Sequence, residues 1–183
     1  MWYMPKQEEI PKREQLVDRC LAAFVQSGTL ELSLDQLAAK AETSKRMLVH
    51  YFGGRENIEE QAMARLEERL RAQFAPEAFP AGVTAAQVVA ALWERTTAPA
   101  SQGVLRLIMD LSRRAWNGSA RAKAFYDEQR RLWTLLLMTY LPDQPTVEEL
   151  LQLFQGAVLA FLVTGDPEPG KRALQRAVAR RKR

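Results

Sequence analysis

The sequence predicts an all-α protein, and three observations carry that reading. Every strong hydrophobic periodicity has the three- and four-residue spacing of a helix face. No run of alternating β-branched residues bounded by turn dipeptides occurs. Capping residues and stop glycines then cut the chain into about nine helices.

The first helix opens near Pro11, a residue suited to a first helical position, and runs through Leu16, Val17, Cys20, Leu21 and Phe24 to a stop at Gly28. Ser33 with Gln36 three residues on makes a capping box for a short second helix, whose buried stripe is Leu34, Leu37, Ala38 and Ala41. Thr43 and Ser44 can cap a third short helix, which turns Leu48 and Phe52 inward and ends at Gly53-Gly54. A long fourth helix spans about Arg55 to Phe74, with Ile58, Ala62, Leu66 and Leu70 on one face. Two prolines and a glycine between Ala75 and Gly82 mark a joint. Beyond it, helices are expected at about 84–97 (cap Thr84), 101–116 (cap Ser101) and 119–141 (cap Ser119, after the Asn117-Gly118 turn). The next, about 147–164, has Thr146 as cap, Glu149 as its capping-box partner and Gly165 as its stop, and a last helix covers about 169–181.

Composition narrows the function. The 183 residues are 47% hydrophobic and 26% charged, which indicates a packed core and excludes disordered and collagen-like classes. A single cysteine, Cys20, rules out an internal disulfide and a cysteine-rich zinc site and suits a reducing compartment, so a cytoplasmic location is expected. Cys20 itself reads as a small core residue, in step with Leu16, Val17, Leu21 and Phe24 at the three- and four-residue spacing of the first helix. A single histidine, His50, leaves no two-histidine metal motif; no metal, cofactor or catalytic residue is assigned and no enzyme is expected. The first residues lack a signal-peptide apolar run, and Leu150 to Val163 is broken by Gln152 and Gln155, short of the roughly 18 apolar residues of a membrane span. A soluble protein without membrane contact is expected. Seven of the 26 Lys and Arg fall within 171–183, so the other 19 face 22 acids and the net charge of +4 belongs to the tail. The segment from Gly165 to Arg172 nearly spells a phosphate-binding loop, but it lacks the closing hydroxyl, holds two prolines and two acids, and follows a helix where a strand is required. Asp110, flanked by Arg106 and Arg114 at four-residue spacing, reads as part of a solvated ion-pair ladder.

Residues 33–52 have the form of two short helices joined by a tight turn, the geometry that enters a DNA major groove. With Leu48 and Phe52 facing inward, Lys45, Arg46, Met47, Val49 and His50 project outward as reading positions. Arg46 suits a guanine edge and Met47 a thymine methyl, while Ser33, His50 and the helix-start N–H groups suit phosphates. From Gly156 to Val163 the predicted helix is apolar all round, as expected if one side meets its own core and another meets a partner.

The stretch from Leu16 to Ile58 resembles the DNA-binding domain of the tetracycline-repressor (TetR) family of bacterial transcription regulators. The matching positions are Phe24, Gly28, Ser33, Leu37, Ala38, Ala41, Ser44, Lys45, Leu48, His50, Phe52, Arg55 and Ile58. The chain departs from the pattern at Glu42, where the family has a turn glycine, so the backbone there either avoids positive φ or carries modest strain. Val49 stands for a tyrosine, Arg46 and Met47 for small residues, and Arg55 for a lysine. The resemblance implies a DNA-binding domain over residues 8–54 and a helical effector-binding and dimerisation domain over 55–183. It implies DNA contacts from Ser33, Ser44, Lys45, Arg46, Met47, Val49, His50, Tyr51 and Arg55, and a palindromic double-stranded operator from which a lipophilic or aromatic small molecule releases a homodimeric repressor. Leu153, Gly156, Ala157, Ala160, Leu174 and Val178 are the expected dimer contacts, and Trp93, Ile108, Met109, Trp116, Phe125, Trp133 and Met138 the expected effector pocket. Two rivals stay open: a helical protein-interaction module that keeps the motif as packing, and a small helical enzyme, for which no paired-carboxylate cluster is evident.

Overall fold

A computed structural model of the chain describes residues 12–179. Among the described residues it holds nine α-helices, two single 3-10 turns and no strand: α1 Lys12–Ser27, α2 Leu34–Lys40, α3 Lys45–Phe52, α4 Arg55–Gln73, α5 Ala85–Thr97, α6 Gln102–Trp116, α7 Ala120–Met138, α8 Gln144–Thr164 and α9 Glu168–Ala179. The expected opening at Pro11, the start of the 8–54 unit and the tail from Arg180 lie outside the described residues.

Two apolar cores organise these helices. The first gathers Leu16, Leu21 and Phe24 of α1, Leu37 of α2, Leu48 and Phe52 of α3 and Ile58 to Leu70 of α4, and it takes in Leu107 and Leu111 of α6 with Ala122 and Phe125 of α7. The second joins Leu92 and Trp93 of α5, Leu136 and Leu137 of α7, Leu150 to Phe161 of α8 and Leu174 and Val178 of α9. The α6–α7 pair therefore enters both cores, its early and late turns serving different ones.

Two expected caps and one expected helix end resolve differently. α8 starts at Gln144, because the Asp143 carboxylate accepts the Thr146 N–H at 2.8 Å and Pro145 presets the first turn, so Thr146 lies inside the helix. Ser101 does not cap α6: the 3-10 turn Pro99–Ser101 runs straight into the helix, and the Ser101 hydroxyl donates to the Arg95 carbonyl at 2.7 Å. α7 ends at Met138, short of residue 141. By length and composition α8 is also the one helix among the described residues that could cross a membrane, against the expectation that no stretch qualifies. The polar Gln152 and Gln155 are outweighed by Leu, Val, Phe and Ala on both faces of the helix.

α1 and α6 approach almost to backbone contact at Gly103, where an added Cβ would lie 2.6 Å from the Val25 carbonyl oxygen. A backbone atom cannot swing aside as a side chain can, so any larger residue must part the two helices. Gly103→Ala is expected to lower unfolding stability by about 1–3 kcal/mol, read from urea denaturation. A loss below a few tenths of a kcal/mol would show that the two helices do not hold this separation in solution.

Candidate nucleic-acid interface and ligand cavity

The α2–α3 unit is fixed by local chemistry. Ser33 Oγ accepts the Gln36 N–H at 3.1 Å while the Ser33 N–H donates to Gln36 Oε1 at 2.9 Å, a reciprocal capping box. Ser44 Oγ accepts the Met47 N–H at 3.2 Å and opens α3. Between them Glu42 takes φ 51°, the left-handed region glycine favours, so of the two readings left open the chain adopts strain, on the order of 1–2 kcal/mol. The turn is over-determined: the Thr43 N–H donates to the Ala38 carbonyl at 2.9 Å, and Arg19 Nη1 donates to the Glu42 carbonyl at 3.1 Å.

α3 is anchored from behind by Leu48 and Phe52, both buried. Lys45, Arg46, Met47, Val49 and His50 are all exposed, so one face of α3 presents two cations, an imidazole and two apolar groups together. Lys45 is steadied by an exposed ion pair with Asp35 at 3.0 Å. Tyr51 is half-buried against the first core, its ring edge-on to His50 at 5.1 Å. Arg55 is engaged internally: Nε meets Glu59 Oε1 at 2.6 Å and Nη2 donates to the Leu30 carbonyl at 2.9 Å. Its first role is to tie α4 to the loop after α1.

That loop is gripped from the other side by α6. Asp110 Oδ2 accepts from the Thr29 hydroxyl at 3.0 Å, the Leu30 N–H at 3.2 Å and Arg114 Nε at 3.1 Å, and Oδ1 accepts from Arg113 Nη2 at 2.8 Å. Arg113 also pairs with Glu31, and Arg114 reaches Glu59 at 3.5 Å. The solvated ladder expected around Asp110 is corrected to this clamp: Arg106 lies over Gly28, where an added Cβ would sit 2.8 Å from Arg106 Cβ, and Arg113 takes its place. Burial raises the Asp110 pKa, but hydrogen bonds from Arg113, Leu30 and Thr29 and the charge on Arg114 more than offset it, so the carboxyl titrates below the usual aspartate range. A depressed carboxyl pKa contributes stability above the unfolded-state value of about 3.9 and loses it as pH falls through the folded-state value. Asp110→Asn should therefore cost about 1.5–3 kcal/mol at pH 7, shrinking toward zero at the acid end of a pH series of urea melts. A pH-independent difference would mean that the ionised form plays no part.

Beside this clamp lies a cavity of about 1010 Å³ walled by α1, α4, α6, α7 and α8 and the end of α5. Ile108, Met109, Phe125 and Trp133 line it, as expected for the pocket. Phe74, Trp133 and Phe154 form a continuous aromatic side of tilted rings, with centroids 4.9 Å apart for Phe74–Trp133 and 5.2 Å for Trp133–Phe154. Three expected pocket residues lie elsewhere. Trp93 is 2% exposed inside the second core, its indole N–H donating to the Pro167 carbonyl at 3.1 Å; Trp116 is 91% and Met138 41% exposed. Trp116 ends α6 and Met138 ends α7, positions with no helix packed over them. Tyr126, Gln129 and Arg130 were not foreseen in the wall. The available signal was the four-residue spacing of Phe125, Gln129 and Trp133, which puts an amide between two aromatics on one helix face.

Of the expected dimer contacts, Gly156 and Ala160 are exposed on α8, and Leu153 is half-buried. Ala157, Leu174 and Val178 are buried within the chain's own second core, so these three are corrected to core residues. α9 turns its apolar stripe inward, and Ala157 packs beneath Gly170. Leu159, 56% exposed, and Val163, 79% exposed, complete with Gly156 and Ala160 an outward apolar stripe within the segment that reads from sequence as apolar all round. Burial also pushes the Cys20 thiol up to about 11, against a smaller lowering by Arg19, which keeps it protonated and inert.

No protein-family model matches the chain, and no curated protein matches it. Solved structures do. A member of the TetR family from Streptomyces coelicolor A3 aligns over 92% of this chain and 99% of its own, with TM-score 0.69 and 20% identity. A transcriptional regulator from Rhodococcus sp. Rha1 aligns over 92% and 95% respectively, with TM-score 0.73 and 17% identity. The multidrug binding protein EbrR, complexed with proflavin, aligns over 91% and 99%, with TM-score 0.63 and 21% identity. The all-helical fold is thus that of TetR-family regulators along nearly its whole length.

Proposed function

We propose that this chain, built on the fold of TetR-family regulators, is a sequence-specific DNA-binding transcription regulator that acts in the cytoplasm as a homodimer. One observation carries the reading: α3 is locked from behind by Leu48 and Phe52 and capped by Ser44, and it offers Lys45, Arg46, Met47, Val49 and His50 to solvent on one face. Such a face supplies a bidentate donor for a guanine edge, an apolar contact for a thymine methyl and charge for phosphates. Residues 8–54 form the reading unit in this proposal, and 55–183 the part that pairs and senses. The outward stripe of Gly156, Leu159, Ala160 and Val163 supplies the pairing surface.

Two heads about 34–36 Å apart would read half-sites one helical turn apart. Such a dimer represses by occupying a palindrome, with no catalytic step. A small molecule in the cavity would release it if bound more tightly by the DNA-incompetent arrangement. The clamp of Arg55, Glu59, Asp110 and Arg114 gives a physical route, since cavity-lining α6 holds the loop that leads into α2. Proflavin held by EbrR is a precedent for ligand binding in this fold.

Selection of purified protein on random duplex DNA at fixed salt tests the reading. The expected result is an enriched inverted repeat whose affinity falls steeply and linearly on log–log axes with salt. No enrichment, or retention indifferent to salt, would overturn it and favour a protein-interaction module that uses the motif as packing.

A further inference from the structure

The cavity wall has an uneven chemistry. Its lining holds no Asp, Glu, Lys or His; its only charged members are Arg69 and Arg130. Arg69 is already neutralised by Asp18, whose Oδ1 lies 2.8 Å from Nη2. Arg130 has no ion-pair partner among the described residues, since the neighbouring Glu128 pairs with Arg131 at 2.8 Å and Arg71 at 3.3 Å. Next to Arg130 on α7, the Gln129 Nε2 amide is buried and donates to nothing. A buried donor without an acceptor is a standing cost, relieved by any ligand that brings an oxygen. The rest of the lining is apolar and aromatic, with neutral amides and hydroxyls among it.

We propose that the cavity takes a lipophilic monocarboxylate, its apolar body against Ile108, Phe125, Trp133 and Phe154 and its carboxylate at Gln129 and Arg130. The assignment deepens the effector reading above and rests on it for its regulatory meaning. An anion finds an uncompensated cation and an idle N–H donor there. A cation of the same shape meets one uncompensated positive charge and no acid, and a neutral alcohol can accept from the Gln129 amide but carries no charge to meet Arg130. The wall is therefore selective for charge sign as well as for size.

The test uses three probes of equal chain length, decanoate, decanol and decylammonium, titrated calorimetrically into the full-length protein without DNA. Decanoate is expected to bind at least about tenfold more tightly than decylammonium, with decanol between them. Arg130→Ala and Gln129→Leu should each weaken decanoate several-fold, and Arg130→Ala should leave decanol unchanged. Arg130 is exposed, and Gln129→Leu removes an unpaired donor, so both variants should melt no lower than the parent protein. Decylammonium binding as tightly as decanoate, no binding of any probe, or two variants that both leave decanoate untouched would each overturn the assignment. Because the titration contains no DNA, the two readings fail separately. Decanoate preference in a protein that selects no duplex overturns the regulator reading alone; an enriched inverted repeat with no decanoate preference overturns the carboxylate alone.

Discussion

Arg46→Glu is expected to abolish measurable binding to the selected duplex while leaving the thermal unfolding of the protein unchanged. Arg46 is exposed at the second position of α3, and its side chain makes no contact on which the fold depends. A bidentate Arg–guanine contact contributes about 1–3 kcal/mol, and the homodimer proposed above would lose it twice, so removal alone would cost roughly 2–6 kcal/mol, or about 30-fold to 10⁴-fold in affinity. Charge reversal adds repulsion from the phosphates on each side. Arg46→Ala should be milder and diagnostic, relaxing preference at one base position per half-site. Fluorescence anisotropy against the selected duplex and its single-base variants reads both effects. Unaltered affinity in Arg46→Glu would remove α3 from the interface.

Trp93→Ala should produce the largest stability loss, about 3–5 kcal/mol and a fall in Tm of roughly 6–20 °C. Trp93 is almost fully buried between α5, α8 and α9, edge-on to Phe154 at 5.5 Å and to Phe161 at 6.3 Å. Its indole N–H satisfies the Pro167 carbonyl, and Gly170 sits so close that an added Cβ would lie 2.5 Å from the ring. Truncation leaves a void beneath α9 and an orphaned carbonyl at its entrance. Gly170→Ala should inflict a smaller wound at the same place by crowding where Trp93→Ala empties. Urea denaturation measures the loss, and a cost under 1 kcal/mol would contradict the packing described.

The helices and the α3 face were legible because both rest on short-range periodicity. Leu48 and Phe52 four apart fix which side of α3 is buried, and the residues left over must face outward. Caps were legible where one candidate stood alone, as at Ser33, Thr84 and Ser119, and of Thr43 and Ser44 it is Ser44 that caps α3. They misled where two competed: Asp143 outranked Thr146, and a preceding 3-10 turn diverted Ser101. The pocket was legible only in part, because an aromatic residue on an amphipathic helix can serve a core, a cavity or solvent with one and the same spacing. Trp93, Trp133 and Trp116 took those three fates, decided by which helix packs across them. The Asp110 clamp was hidden for a related reason: its acceptors face Thr29 and Leu30, 81 and 80 residues away, and no local pattern records that pairing.

Gly156 and Leu159 belong at once to the cavity wall and to the outward stripe of α8. In the homodimer proposed above, with this stripe as its seam, occupancy of the interior and association of the two subunits would be thermodynamically linked through a single turn of helix. Dilution that separates the subunits should alter how tightly an occupant is held, and by reciprocity an occupant should shift the monomer–dimer balance by the same factor.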